Sequence, residues 1–300
     1  MNISHQKAKN TQKTYLLMFL FLIVVIGIGW VFSYVFENQN ILYFAIGFSL
    51  LINIFSYWFS DKIVLKMSGA KLISRNDNRD LFDSVERLVR QSGLIMPKLY
   101  IINDPSPNAF ATGRNAKNSA VAVTTGLLNL LDKRELDGVI AHELSHISNK
   151  DILIATVVVV LVGFVSLLSD FFIRMSIFGG LKRNDNNQAG GIITIVGIVL
   201  AIIAPFIVIL IQLAISRKRE FLADASAVSL THNSSGLASA LEKISQNHLP
   251  IKKASRATAH LYISDPYKQK QKIKTGFLVK MFMTHPPVEE RVRVLRGGTI

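Results

Sequence analysis

Four uncharged, strongly apolar stretches constrain this 300-residue chain more than any other feature: residues 14–36 (23 residues), 38–60 (23), 152–169 (18) and 186–216 (31). Each is near or above the roughly 20 residues that an α-helix needs to cross a bilayer. Half of all residues are hydrophobic and the mean hydropathy is +0.34, which excludes an ordinary water-soluble enzyme. The first stretch meets Glu37 without a small-residue cleavage site, so it reads as a retained span and not as a signal peptide. Outside the four stretches roughly 200 residues remain, enough for one compact domain of the usual size.

Charge sets the expected orientation. The tail before Thr14 carries Lys7, Lys9 and Lys13 and no acid, and residues 61–151 carry 13 basic and 11 acidic side chains. Residues 217–300 carry 15 and 6, whereas the link between the first two stretches has Glu37 alone. The excess of Lys and Arg predicts both termini and both large segments on the cytoplasmic side, a parity that four spans satisfy. Arg174, Lys182 and Arg183 in the link between the third and fourth stretches are the exception. The expected organisation is a basic tail (1–13), a first transmembrane hairpin (14–60), a first part of a cytoplasmic domain (61–151), a second hairpin (152–215) and the rest of that domain (216–300).

The net charge of +14 comes without a recognition helix, an RNP-like pattern or a zinc-finger pattern. A juxtamembrane basic surface facing anionic lipid explains it, so the lipid bilayer and not nucleic acid is the expected partner. No phosphate-cradling glycine loop is present, so no use of ATP is expected, and no G-x-S-x-G elbow appears. With no cysteine in the chain, disulfides, thiolate nucleophiles and Cys-ligated metal are excluded.

The charged segments read as α+β, mostly helical, with a small β-sheet. Leu81, Phe82, Val85, Leu88 and Val89 recur at helical spacing. Residues 98–104 read as a strand stopped by Pro105 and Pro107, and residues 119–125 as another ending at Gly126. The stretch Asn108, Ala109, Phe110, Ala111, Thr112, Gly113 between them looks extended. From Leu127 the pattern becomes helical, with Leu136, Val139, Ile140 and Leu144 on one face of a helix that runs through His146.

That helix carries the strongest chemical signal, His142-Glu-Leu-Ser-His146. Two histidines at i and i+4 stand above one another on a helix face and can grip one ion, with Glu143 beside them. With seven His and eight Glu in the chain, the pattern arises by chance about once in 200 such sequences, taking composition as random. A hydrolytic zinc site needs a third protein ligand and an open position for water. Glu220 is a candidate, with Asp224 four residues on placed to accept an N–H from a ligand histidine. His232 and His260 are rivals for the same role.

The segment His142–His146, then Glu220-Phe-Leu-Ala-Asp224, then Thr284-His-Pro-Pro287 with Glu290-Arg291, together resemble the HtpX family of membrane zinc metalloproteases, relatives of the eukaryotic CAAX prenyl protease. The resemblance covers nearly the whole chain. It implies four transmembrane helices in two hairpins and a cytoplasmic gluzincin-type metalloprotease domain. It implies one Zn2+ per subunit held by His142, His146 and Glu220, with Glu143 as general base. It further implies Asn108–Gly113 as an edge strand that binds substrate backbone, and a bacterial plasma-membrane location. His285 matches the family's histidine and is expected to stabilise the oxyanion; Arg291 either shares that task or braces the loop. The implied role is quality control, with misfolded or damaged membrane proteins or unfolded polypeptides as substrates. The alternatives are a non-catalytic, zinc-stabilised membrane scaffold and a site-specific prenyl-peptide protease.

Overall fold

The structure is a computed structural model that describes residues 3–35, 37–178, 217–247, 249, 261–263 and 286–298. Two long helices, α1 (Ile3–Val35) and α2 (Gln39–Met67), form an antiparallel hairpin. The turn places Glu37 at φ 49°, and Asn38 caps α2 by accepting the N–H of Asn40. On α1 the buried stripe Leu17, Phe21, Val25 and Phe32 follows helical spacing, while Phe19, Ile23 and Trp30 point outward. Tyr43, Phe44, Leu51, Ile54 and Trp58 do the same on α2. Large apolar side chains facing outward along two helices are what a lipid-facing surface requires. Residues 10–34 and 39–67 are each long and apolar enough to span a membrane.

A four-stranded sheet follows: β1 (Ala70–Leu72), β2 (Lys98–Ile102), β3 (Ala109–Asn115) and β4 (Asn118–Thr124), in the order β1-β2-β4-β3. The β2–β4 pair is parallel and the other two are antiparallel. Strand alternation makes this sheet a partition between two cores. Ala120 and Ala122 of β4 and Phe110 of β3 face the two long apolar helices, whereas Val121, Val123, Ala109 and Ala111 face the helices on the other side. The sequence reading finds β2, β3 and β4 but not β1, whose three residues are too few to show an alternation.

The helices on the second face are α3 (Arg79–Ser92), α4 (Thr125–Leu130) and α5 (Lys133–Ser148), with α7 (Arg217–Thr231), α8 (Ser234–Gln246) and α9 (Val288–Leu295) beyond α6 (Asp151–Phe178). The single helix expected from Leu127 through His146 is two. Asp132 breaks it with a capping box: its side chain accepts the N–H of Arg134 and Glu135, and Glu135 returns a bond to the Asp132 N–H. Glu135 also accepts from Ser239 and Lys243 of α8, which fixes the start of α5 against that helix.

Past its end at Ser148, α5 bends by 85° into α6 through Lys150, which takes φ 59°. The third apolar stretch lies on α6, but the helix continues beyond Asp170 to Phe178. Its first turns are walled in by protein: Val157, Val158, Leu161 and Val162 pack in the core shared with α1, α2 and β3. Among the described residues, two helices qualify as spans, or three if the bent α5–α6 pair is one; the fourth stretch lies outside the described residues.

Gly138 of α5 sits against α8, where an added Cβ would meet the Cα and N of Leu237 at 2.9 Å. Helix propensity alone favours alanine there by up to ~1 kcal/mol, but backbone at this distance can move only if the helices separate. Gly138→Ala is therefore expected to destabilise the protein by about 1–3 kcal/mol. Thermal unfolding in detergent checks this, and an unchanged or raised midpoint contradicts it.

Candidate metal centre

The buried face of α5 presents His142 and His146, and α7 brings Glu220 against them. The two Nε2 atoms lie 3.2 Å apart. Glu220 places one oxygen 3.7 Å from His142 Nε2 and the other 3.6 Å from His146 Nε2. A tetrahedral ion with arms of 2.0–2.1 Å separates its ligands by about 3.3–3.4 Å, so the three donors stand at the corners such an ion needs. Among the described residues these three form the one group able to hold a metal.

Each histidine is oriented from behind by a carboxylate. His142 Nδ1 donates to Asp224 Oδ1 at 2.9 Å, and His146 Nδ1 donates to Asp151 Oδ2 at 3.0 Å. Both bonds fix the tautomer that leaves Nε2 free for an ion. Asp224 is in turn gripped by the fully buried Arg291, whose Nε and Nη2 reach its two oxygens at 2.8 and 2.6 Å. Arg291 Nη2 also lies 3.4 Å from both ring nitrogens of His142, and Nη1 is 3.7 Å from Glu220, so two of its nitrogens hold Asp224 while Nη1 faces the cluster. Asp151 is held by Asn10 of α1, whose amide donates to its Oδ1 and to the Asn149 carbonyl. The membrane hairpin is thus one hydrogen bond removed from a residue that orients a metal ligand.

Charge balance points to a divalent ion. Glu143, Asp151, Glu220 and Asp224 are buried carboxylates, while Arg219 and Arg291 are the buried guanidiniums among them. Among the described residues the buried carboxylates outnumber the buried guanidiniums by two, an excess that favours a cation in the interior. Burial alone lowers the His146 pKa, but Asp151, Glu220 and Glu143 outweigh it and lift it to about 9. Burial likewise opposes Asp224, yet Arg291 and His142 hold it down at about 2. Glu143, next to His142 on α5, is buried.

The stretch from Asn108 to Gly113 forms the start and body of β3, at the edge of the sheet. Antiparallel pairing turns the backbone groups of Ala109, Ala111 and Gly113 outward. Two of these three already have partners: the Ala109 carbonyl accepts from Ile263, and the Gly113 N–H donates to Thr156 of α6. His232 is exposed at the C-terminal end of α7, away from the cluster. His260 and His285 lie outside the described residues. The sequence reading passes over Asp151, Asn10 and Arg219. Asp151 resembles an ordinary first-turn acid of α6, and Arg219 an ordinary member of a basic juxtamembrane run, although it is buried.

Two outcomes follow from this geometry. Asp151→Ala should weaken metal retention by roughly 10–100-fold; competition with a chelator measures it, and wild-type retention would remove Asp151 from the support of His146. In the metal-free protein the raised His146 pKa favours folding fully below about 6.5, and that contribution is lost as pH rises through about 9. The Asp224 contribution is complete above 3.8 and lost as pH falls towards about 2. A metal must displace the His146 proton, so binding at pH 7 should release about one proton. Calorimetry in buffers of different ionisation enthalpy reads this, and a buffer-independent heat contradicts it.

The sequence profile of peptidase family M48 matches residues 75–299. A protein named Protease HtpX homolog from Caldanaerobacter subterraneus subsp. tengcongensis is 42% identical over 299 residues, covering 98% of this chain and 97% of its own. The protein of the same name from Streptococcus gordonii is 41% identical, covering 97% and 98%. The crystal structure of S. mikatae Ste24p aligns with a TM-score of 0.51 at 20% identity, over 94% of this chain. This chain spans 65% of that structure, just under two thirds, and the likeness is one of fold. Full-length identities above 40%, joined to a family match that takes in every residue of the metal cluster, make the assignment plain: the chain belongs to peptidase family M48 and is a membrane metallo-endopeptidase.

Proposed function

We propose that this enzyme uses zinc to hydrolyse peptide bonds at the cytoplasmic surface of a bacterial plasma membrane, with misfolded or damaged membrane proteins as substrates. The observation that carries the zinc reading is the convergence of His142, His146 and Glu220 at tetrahedral separations, each histidine oriented by a carboxylate. His142, His146 and Glu220 would hold the zinc, which would lower the pKa of a water and polarise the scissile carbonyl. Glu143, buried beside these residues, would act as general base, taking the proton of the attacking water. It then passes the proton to the leaving amine. Asp224, Asp151 and Arg291 keep the ligands in register throughout. His285, six residues before Arg291, is the candidate donor to the oxyanion.

Substrate enters as an extended segment along β3. The outward N–H and C=O of Ala111 offer a two-bond clamp that any peptide backbone can use. Such pairing makes few demands on side chains, which suits a protease that acts on unfolded chain. The positive-inside distribution of charge supports the cytoplasmic orientation, and the likeness to HtpX homologues supports the quality-control role.

Glu143→Gln keeps the size of the side chain and removes its basicity. It should lower cleavage of an unfolded membrane-protein substrate by at least ~100-fold while leaving one zinc bound per chain. Peptide release and metal content measured on the same preparation check both halves. Cleavage at the wild-type rate would show that another group accepts the proton.

A further inference from the structure

A second, charged cavity lies away from the metal cluster, where the end of α2 meets the open ends of β2, β3 and β4. It has a volume of about 330 Å³ and draws its walls from three parts of the chain. From α2 come Trp58, Asp61 and Lys62; from β2 come Lys98 and Tyr100; from the β3–β4 hairpin come Arg114 and Lys117. Four cations thus face one carboxylate. Nothing in the peptidase reaction uses them.

Where this cavity lies relative to the bilayer is written in α2. The uncharged run of that helix ends at Ser60, so Trp58 occupies its last turn and Asp61 and Lys62 begin the polar side. Trp58 is half exposed, with the Arg114 guanidinium 4.3 Å from its ring centre. Lys62 lies 5.3 Å from the Phe59 ring centre. A tryptophan at the junction of apolar and charged helix marks the headgroup level of a membrane. The Arg114 guanidinium, partly buried over the Trp58 ring, is already partly stripped of water, which strengthens its attraction to an anion.

We propose that this cavity binds the headgroup of an anionic phospholipid, with Lys62, Lys98, Arg114 and Lys117 around the phosphate and Trp58 against the glycerol and upper acyl region. The phosphodiester supplies the negative charge that the cavity lacks, and the acyl chains continue along the exposed apolar face of α2 formed by Leu51, Ile54 and Phe55. A free phosphate shares the charge but not that apolar continuation. Occupancy would tie the β3–β4 hairpin to the membrane surface. The site does not depend on the proteolytic reading, so either can fail alone.

The chain has two tryptophans, so Trp30→Phe leaves Trp58 as the sole reporter in the full-length protein in neutral detergent. Titration with phosphatidylglycerol should produce a saturable change in Trp58 emission, and phosphatidylcholine should not. Lys98 and Lys117 are exposed, so Lys98→Gln with Lys117→Gln should leave the fold intact. That pair should weaken the response about 30-fold, near fivefold for each lysine. An equal response to phosphatidylcholine, or an unchanged midpoint in the double variant, overturns the site. Saturation by inorganic phosphate at the same concentrations would assign the cavity to a free anion and overturn the lipid reading.

Discussion

Buried negative charge is the constraint on which the catalytic half of this protein depends. Four buried carboxylates gather about two histidines and two buried guanidiniums, with His146 partly open to solvent. An interior does not tolerate a net charge of that size without a counter-ion. In the metal-free chain a proton on His146 offsets part of it, and its raised pKa is the sign of that demand. A divalent cation meets it in full. The same charges that would destabilise an apoprotein are therefore the source of metal affinity.

The supports of this cluster come from elements far apart in the chain. Asp224 lies four residues beyond Glu220 on α7, Arg291 is delivered by α9, and Asp151 opens the helix that follows the 85° bend. Asn10 ties Asp151 to the first membrane helix. Thr156 of α6 meets both Thr112 and Gly113 of the edge strand, so the helix after the bend is joined to the strand at the sheet's edge.

Local patterns were legible wherever one element sufficed. The helical spacing of Leu81, Val85 and Leu88 matches α3, with Asn78 as its cap and Gly93 in the left-handed position after it. The pair of histidines at i and i+4 needed no tertiary information. The break before α5 was also written locally, in Asp132 and Glu135, but a capping box inside a longer apolar pattern is easily read through. What could not be read was partnership over distance: Asn10 with Asp151 across 141 residues, and Ile263 with the edge strand at Ala109. Neither has any periodic or motif signature.

By itself the sequence determined which segments are too apolar for water, which helix carries the two histidines able to hold a metal, and that no thiol chemistry is possible. These follow from composition and from the 3.6-residue period, both properties of neighbours in the chain. The tertiary structure decided which carboxylates stand behind the histidines, that two nitrogens of Arg291 reach Asp224, and that, among the described residues, the Ala109 carbonyl and the Gly113 N–H have partners at the outer edge of the sheet. Such outcomes depend on the relative placement of helices and strands, which packing volume and buried charge fix only once the whole chain has folded.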